Sequence, residues 1–315
     1  MARPYRLQGA NCFYHITSRG DDKKRIYISE YDYKKFLEYL LAAKEKFKFY
    51  LYSYVLMPNH YHLFIETLQP NLSKIMQYVN TSYTTYYNIK RQKCGHLFQG
   101  RYKSILVDND AYFLELTRYI HLNPLRAKVV NKPEEYRWSS YKGYINQNGD
   151  GCIDKKQIAL YLDMDMKQYM QFVMEGVNKE FDPSQNVYAG FILGKSQFIK
   201  DKLNGLKMSV QSRGISYNKE LSRCIEKDDI IQYVAQKYRK TTNDLLRIRR
   251  RSIQEKKVAI YLLKKFTILT NPEIGEIFGI SYSAISKAAS DIAKLIENDS
   301  RIRNDINAII SRFKA

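Results

Sequence analysis

Only four cysteines occur in the 315 residues, at positions 12, 94, 152 and 224, and no two form a C-x-x-C pair. That spacing gives no basis for a zinc ribbon or a dithiol redox centre and leaves ordinary thiols. Glycine (14) and proline (7) are also sparse, which sets aside collagen-like and low-complexity chains. No apolar run approaches the roughly 18 uninterrupted residues of a membrane-spanning helix. The opening MARPYRLQGANCFYHITSRG lacks the apolar core of a signal peptide, so a cytoplasmic location is expected. Acid is short as well: 32 Asp+Glu face 52 Lys+Arg, a formal charge of +20. A field of that sign attracts phosphate and releases condensed counterions on contact, so nucleic acid is the first candidate partner. What is plentiful is apolar side chain, 44 % of the residues, and tyrosine, 28 of them. That is enough to build packed cores, and the length fits two or three domains.

Strand-like and helix-like segments alternate over the first 145 residues. CFYHITSR (residues 12–19) alternates apolar and polar positions as a strand does. Residues 29–47 carry Phe36, Tyr39, Leu40 and Ala43 at helical spacing. FKFYLYSYVLM (47–57) reads as a strand, Pro58-Asn59 as a turn and HYHLFIE (60–66) as its antiparallel return. A helix is expected over 71–93, where Leu72, Ile75, Met76, Val79 and Tyr83 share a face, then a strand over 101–107 (RYKSILV). Asp108, Asn109 and Asp110 can cap a further helix that runs to Pro124, where the imino acid is expected to stop it. The order β-α-β-β-α-β implies an α+β domain, an antiparallel sheet of the split βαβ (ferredoxin- or RRM-like) class with helices packed on it. Signals weaken over 146–224, read as a mostly helical extension, and 225–315 reads as a separate all-α unit.

His60-Tyr61-His62 is the sharpest local feature. On a strand the two imidazoles project from one face and Tyr61 from the other. Such a pair is half of a metal site, or alternatively two hydrogen-bonded histidines of a half-buried strand. A second cluster is Tyr119-Ile120-His121-Leu122-Asn123-Pro124. Tyr119 and Asn123, four apart on a helix, lie one above the other, so a phenol and an amide oxygen can converge. Proline disfavours the α conformation at the residue before it, which puts Asn123 in a frayed last turn. By itself Tyr119 reads as a packing residue bordering Phe113, Leu116 and Ile120. His15, His96 and His121 have no partner at ligand spacing and read as structural or as phosphate contacts. Arg101 and Lys103, on one face of the expected strand, can bind backbone phosphate or simply be solvated.

FYHITSRG, YVLMPNHYHLFIE, FQGRYKS, RYIHLNPLRAKVV and the WSSY at 138–141 together resemble the REP-associated branch of the single-tyrosine HUH transposases, over residues 1–145. "HUH" denotes histidine, a bulky apolar residue, histidine. The resemblance implies an HUH nuclease fold in which a tyrosine hydroxyl attacks single-stranded DNA near hairpin-forming repeats, leaving a 5′-phosphotyrosine and a free 3′-hydroxyl. It also implies Tyr119 as nucleophile, His60, His62 and Asn123 as metal ligands, and a divalent ion. Two imidazoles with one oxygen suit Mn²⁺ at least as well as Mg²⁺. The rival from another class is a non-catalytic DNA-binding regulator that keeps this fold for sequence or hairpin recognition. An RNA-binding module of the same sheet order has no RNP-type aromatic motif here to support it.

The unit 225–315 holds 18 Lys+Arg against 11 Asp+Glu, and residues 240–265 hold 9 against 2. Val258, Tyr261, Leu262 and Leu263 form one apolar face, Pro272 and Glu273 open a second helix, Gly279 turns the chain, and Ile285, Ala288, Ile292 and Leu295 face inward on a third. Tyr282, Ser283, Ser286 and Lys287 are left at the start of the third helix, where a helix-turn-helix protein meets base edges. YVAQKYRKTTNDLLRIRRRS, KKVAIYLLKKFT and NPEIGEIFGISYSAISKA resemble the DNA-binding domain of the bacterial replication initiator DnaA. Where that family has Asp-His-Thr-Thr this chain has Ser281, Tyr282, Ser283 and Ala284, so no base preference carries over. Arg247, Arg249, Arg250 and Arg251 are expected to contact phosphate. Single-stranded or hairpin DNA at the first domain and duplex DNA at the last are the expected partners, in a monomer or a homodimer.

Overall fold

The computed structural model describes residues 7–146, 151–177, 183, 187–188, 190–210, 226–247 and 253–314. The chain divides into two compact units, residues 3–193 and 194–315. The division falls inside the stretch 146–224 read from sequence as an extension. Among the described residues no helix is long and apolar enough to cross a membrane.

In the first unit β1 (Cys12–Arg19), α1 (Glu30–Phe47), β2 (Phe49–Met57), β3 (His60–Thr67), α2 (Leu72–Arg91), β4 (Lys103–Val107) and α3 (Asn109–Arg126) follow in the expected order. Capping fixes the start of α1: the Asp32 carboxylate accepts the backbone N–H groups of Ile28 and Ser29, both at 2.9 Å. The sheet order is β2-β3-β1-β4, antiparallel throughout, so the two strands joined by the Pro58-Asn59 turn lie beside a central β1. This is the α+β architecture expected from the alternation of elements.

Period-two alternation sorts the side chains. Tyr61 faces α1 and α2, its ring tilted against Phe36 with centroids 4.9 Å apart and its hydroxyl donating to Asn80 Oδ1 at 2.7 Å. Phe64 faces α3 and meets Phe113 at 5.3 Å. His60 and His62 share the parity of Phe64 and so lie on the α3 side. A register shift between Leu51 and Ser53 of β2 changes that strand's parity and sets Val55 opposite His62.

Three features depart from the sequence expectation. α3 does not stop at Pro124 but continues to Arg126. The proline is buried and removes only the helical donor to the Ile120 carbonyl, while the Asn123 side chain donates Nδ2–H to the Tyr119 carbonyl at 2.8 Å. β4 begins at Lys103, so Arg101 precedes the strand instead of sharing a face of it with Lys103. After α4 (Tyr141–Ile145), α5 (Lys155–Ile158) and α6 (Met166–Glu175), the chain adds β5 (Val187–Tyr188) and β6 (Ile192–Leu193) to the sheet, β6 running parallel to β4. The WSSY stretch closes the β2 edge, with Leu56 N–H donating to the Trp138 carbonyl and Ser140 N–H to that of Tyr54.

Among the described residues the regular structure of the second unit is helical: α7 (Ser196–Val210), α8 (Lys227–Lys237), α9 (Thr242–Leu246), α10 (Gln254–Phe266), α11 (Asn271–Phe278), α12 (Tyr282–Asn298) and α13 (Ser300–Lys314). Ile230, Val234, Leu245, Val258, Leu262, Ile274, Phe278, Ile285 and Ile292 build its core. Thr270 and Glu273 form a capping box at the start of α11. Gly279, at φ +63°, makes the left-handed turn into α12. Lys256 is buried and donates Nζ to the carbonyls of Arg247 and Phe278 at 3.2 and 3.1 Å, satisfying an end carbonyl of α11.

Candidate active site on the α3 side of the sheet

The hairpin turn that precedes the two histidines is pinned. Gly20 N–H donates to the Asn59 carbonyl at 2.8 Å and Ile26 N–H to that of Pro58 at 2.9 Å. Asn59 Nδ2 donates to the Lys23 carbonyl at 3.1 Å, which turns Oδ1 toward His60 Nδ1 at 2.7 Å. An amide oxygen only accepts, so His60 Nδ1 carries the proton and its Nε2 carries a lone pair.

His62 lies one pleat further, buried, with its ring 5.2 Å from that of His60. Burial, with His15 and His60 beside it, pushes His62 well below the usual imidazole range. Burial and then Arg19 depress His60. Both rings are thus neutral at pH 7, the state in which an imidazole ligates a metal.

Tyr119, half-buried on α3, brings its ring edge-on to His62 at 5.7 Å and to His15 at 6.0 Å. The histidine pair and Tyr119, read from sequence as separate clusters 57 positions apart, therefore meet within one chain. Asn123 stands one turn along the same helix, its amide nitrogen engaged with the Tyr119 carbonyl. The oxygen end of an amide is the end that ligates a cation, and this bond uses the nitrogen.

Four residues that join this site were missed in the sequence. His15, read as structural or as a phosphate contact, lies edge to edge with His62, the centroids 5.2 Å apart and Nε2 2.9 Å from His62 Nδ1. Arg19 lies opposite His60 across the β1-β3 ladder and donates to Gln99 Oε1 at 2.7 Å. Arg126 sits over the Tyr119 ring at 5.7 Å and donates to the Gly176 carbonyl at 3.2 Å. Asn59 orients His60. The alternation of FYHITSR already puts His15, Thr17 and Arg19 on one face, and only the strand pairing was lacking. Lys103 is exposed opposite Thr17, and Arg101 is exposed ahead of the strand.

His121 is not part of this group. It is fully buried, bonded at 2.8 Å to both the Tyr169 hydroxyl and Ser140 Oγ, and burial pushes it down to about 3. That is the structural role among those considered for it. In the second unit Ser283 and Lys287 are exposed at the start of α12, while Tyr282 and Ser286 are half-buried. Ser286 Oγ accepts from Asn271 Nδ2 at 3.0 Å. Arg247 is exposed, and Arg249, Arg250 and Arg251 lie outside the described residues.

Among the described residues no three His, Cys, Asp or Glu side chains group in a way that could hold a metal ion. The donor set still fits a divalent ion that takes oxygen from elsewhere: two neutral imidazoles lie side by side, each with Nδ1 already engaged by a neighbour, as metal-binding histidines are usually held.

Among solved structures, one that is similar is a REP-associated tyrosine transposase bound to a REP hairpin. It is 12 % identical, the match covers 49 % of this chain and 98 % of that one, and the TM-score is 0.42. Residues 8–123 match the family model described as transposase, IS200 like, and over that stretch the resemblance to the tyrosine transposases read from the sequence is borne out.

Proposed function

We propose that this chain is a metal-dependent single-stranded DNA endonuclease and strand transferase that acts at hairpin-forming repeats through a 5′-phosphotyrosine intermediate. The observation that carries the reading is the approach of Tyr119 to His62 and His15 within one subunit. A free phenol titrates near 10, so attack at neutral pH requires its proton to be removed or its developing charge stabilised. Tyr119 Oη forms a bond to phosphorus, the bond from phosphorus to the 3′ oxygen breaks, and that oxygen takes a proton and leaves as a hydroxyl. The new phosphotyrosine is again a diester, so a second 3′-hydroxyl can reverse the attack and join another strand. His60, His62 and Asn123 would hold a divalent ion, Mn²⁺ or Mg²⁺, which would polarise the scissile phosphate and offset transition-state charge. Arg126, over the Tyr119 ring, and Arg19 and Lys103, on the same side of the sheet as the histidines, add fixed positive charge where a phosphate would lie.

In this reading residues 1–145 carry the nuclease chemistry, 146–224 are an extension whose first part completes the nuclease unit through β5 and β6, and 225–315 are a duplex-binding helix-turn-helix domain. Ser283 and Lys287, with Tyr282 and Ser286 beside them, face the groove, and Arg247, Arg249, Arg250 and Arg251 contact phosphate. Incubation with end-labelled single-stranded DNA carrying a hairpin, in Mn²⁺ or Mg²⁺, tests the proposal. A protein-linked label on a denaturing gel is expected from the unaltered chain and is expected to be absent from Tyr119→Phe. His60→Ala and His62→Ala are expected to bind the hairpin without cleaving it. Tight binding with no cleavage in either metal by the unaltered chain would support the regulator instead.

A further inference from the structure

We propose that His15 is a positioning residue that holds His62 in the tautomer able to ligate a metal; the inference rests on the metal-dependent reading of the site. His62 has two ring nitrogens, and Nδ1 is taken up by His15 Nε2 at 2.9 Å. Any ligation by His62 therefore falls to its Nε2, which must carry a lone pair. A neutral imidazole has one N–H, so the proton sits on Nδ1 and is donated to His15. His15 Nε2 is then the acceptor, and the proton of His15 is on its Nδ1. The reverse arrangement, with His15 donating, would place a proton on His62 Nε2 and remove its capacity to bind a cation.

The surroundings favour a fixed pair. β1 is flanked by β3 and β4, and the register sets Thr17 opposite His62, so His15 reaches His62 as its diagonal neighbour. His15 is 3 % and His62 7 % exposed, and the rings are nearly parallel at 13°. Little water can replace a lost partner, and a His62 ring turned over would present a C–H to His15 Nε2 in place of the hydrogen bond. His60 receives the same treatment from Asn59, whose Oδ1 fixes its proton on Nδ1. Each imidazole of the HUH pair thus has its own acceptor, one from the hairpin turn and one from the central strand. Tyr119 lies edge-on to both His15 and His62, so one packed group sets ligand and nucleophile together.

Two measurements on the full chain test this. Nitrogen-15 NMR of the metal-free protein reads the tautomer directly, and the Nδ1–H form is expected for His62. Finding the Nε2–H form overturns the inference. Titration with Mn²⁺, followed by the electron paramagnetic resonance signal of the free ion, reads affinity without DNA. His15→Phe keeps an aromatic ring in the strand and removes the acceptor, and it is expected to weaken binding about 10-fold. His15→Gln restores an acceptor oxygen and is expected to recover most of that loss. Equal affinity of His15→Phe and the unaltered chain overturns the role of His15 and leaves the metal reading intact. If the unaltered chain binds no Mn²⁺, or if His60→Ala binds as well, the metal reading fails and the inference with it.

Discussion

Acidification from pH 7 to pH 5 is expected to weaken the first unit, and one buried side chain, His121, carries a share that a single substitution isolates. Its proton is assigned by its neighbours. Ser140 Oγ has a single proton, given to the Tyr54 carbonyl at 3.2 Å, so Ser140 can only accept from His121 Nε2–H. His121 Nδ1 must then accept from the Tyr169 hydroxyl at 2.8 Å. Nothing in this arrangement welcomes a second ring proton, and burial holds the group at about 3 in the folded state. Unfolded, it titrates near 6.5. The unfolded chain therefore binds more protons between those values. The stabilisation is complete above about pH 6.5, declines as pH falls, and levels off below about 3. Over the two units from pH 7 to 5 the loss is about 2 kcal/mol. The chain's single tryptophan, Trp138, stacks on Tyr33 in the first unit at 4.5 Å, so urea unfolding followed by its fluorescence reports that unit. His121→Gln carries no titrating group and is expected to lose about 2 kcal/mol less over the same pH interval. Equal losses for the two proteins would refute the assignment of His121 as a buried neutral bridge.

Other substitutions read separate parts of the account. A Cβ at Gly176 would stand 2.5 Å from Cδ and 2.7 Å from Nε of the buried Arg118, so Gly176→Ala is expected to cost about 1 to 3 kcal/mol in the same urea assay. Unchanged stability would show that α6 and α3 are not closely packed. Gly279→Ala forces alanine to φ +63° at the end of α11 and is expected to destabilise the second unit by about 1 kcal/mol, read by the helical circular dichroism of residues 194–315 expressed alone if that segment folds, or of the full chain otherwise. In duplex binding followed by fluorescence anisotropy, Arg247→Ala is expected to lower the slope of log K against log salt by about 1. An unchanged slope would remove Arg247 from the phosphate contacts.

Much of the first unit could be read in the sequence because its signals are local. The alternation in CFYHITSR and HYHLFIE, the Pro58-Asn59 turn and the helical spacing from Phe36 to Ala43 each need only neighbouring residues. The shared face of His60 and His62 follows from the same period. What could not be read depends on pairing. His15 and His62 are 47 positions apart, and only the antiparallel register of β1 with β3 brings them together. Arg126 reaches Tyr119 because α3 continues past Pro124, against the local preference of the residue before proline. That override is a tertiary effect: the proline is buried in the packed first unit, which offsets the one helical hydrogen bond it removes. β5 and β6 have two residues each, too few for any period to show.

The central claim is that Tyr119, of the 28 tyrosines, forms the covalent link to DNA. Trapping the adduct with single-stranded hairpin DNA and Mn²⁺, digesting both components and mapping the modified peptide by mass spectrometry tests it most directly. The account predicts a nucleotide remnant on the peptide that contains Tyr119, joined through a 5′ phosphate. A remnant on any other tyrosine, or one joined through a 3′ phosphate, would contradict it.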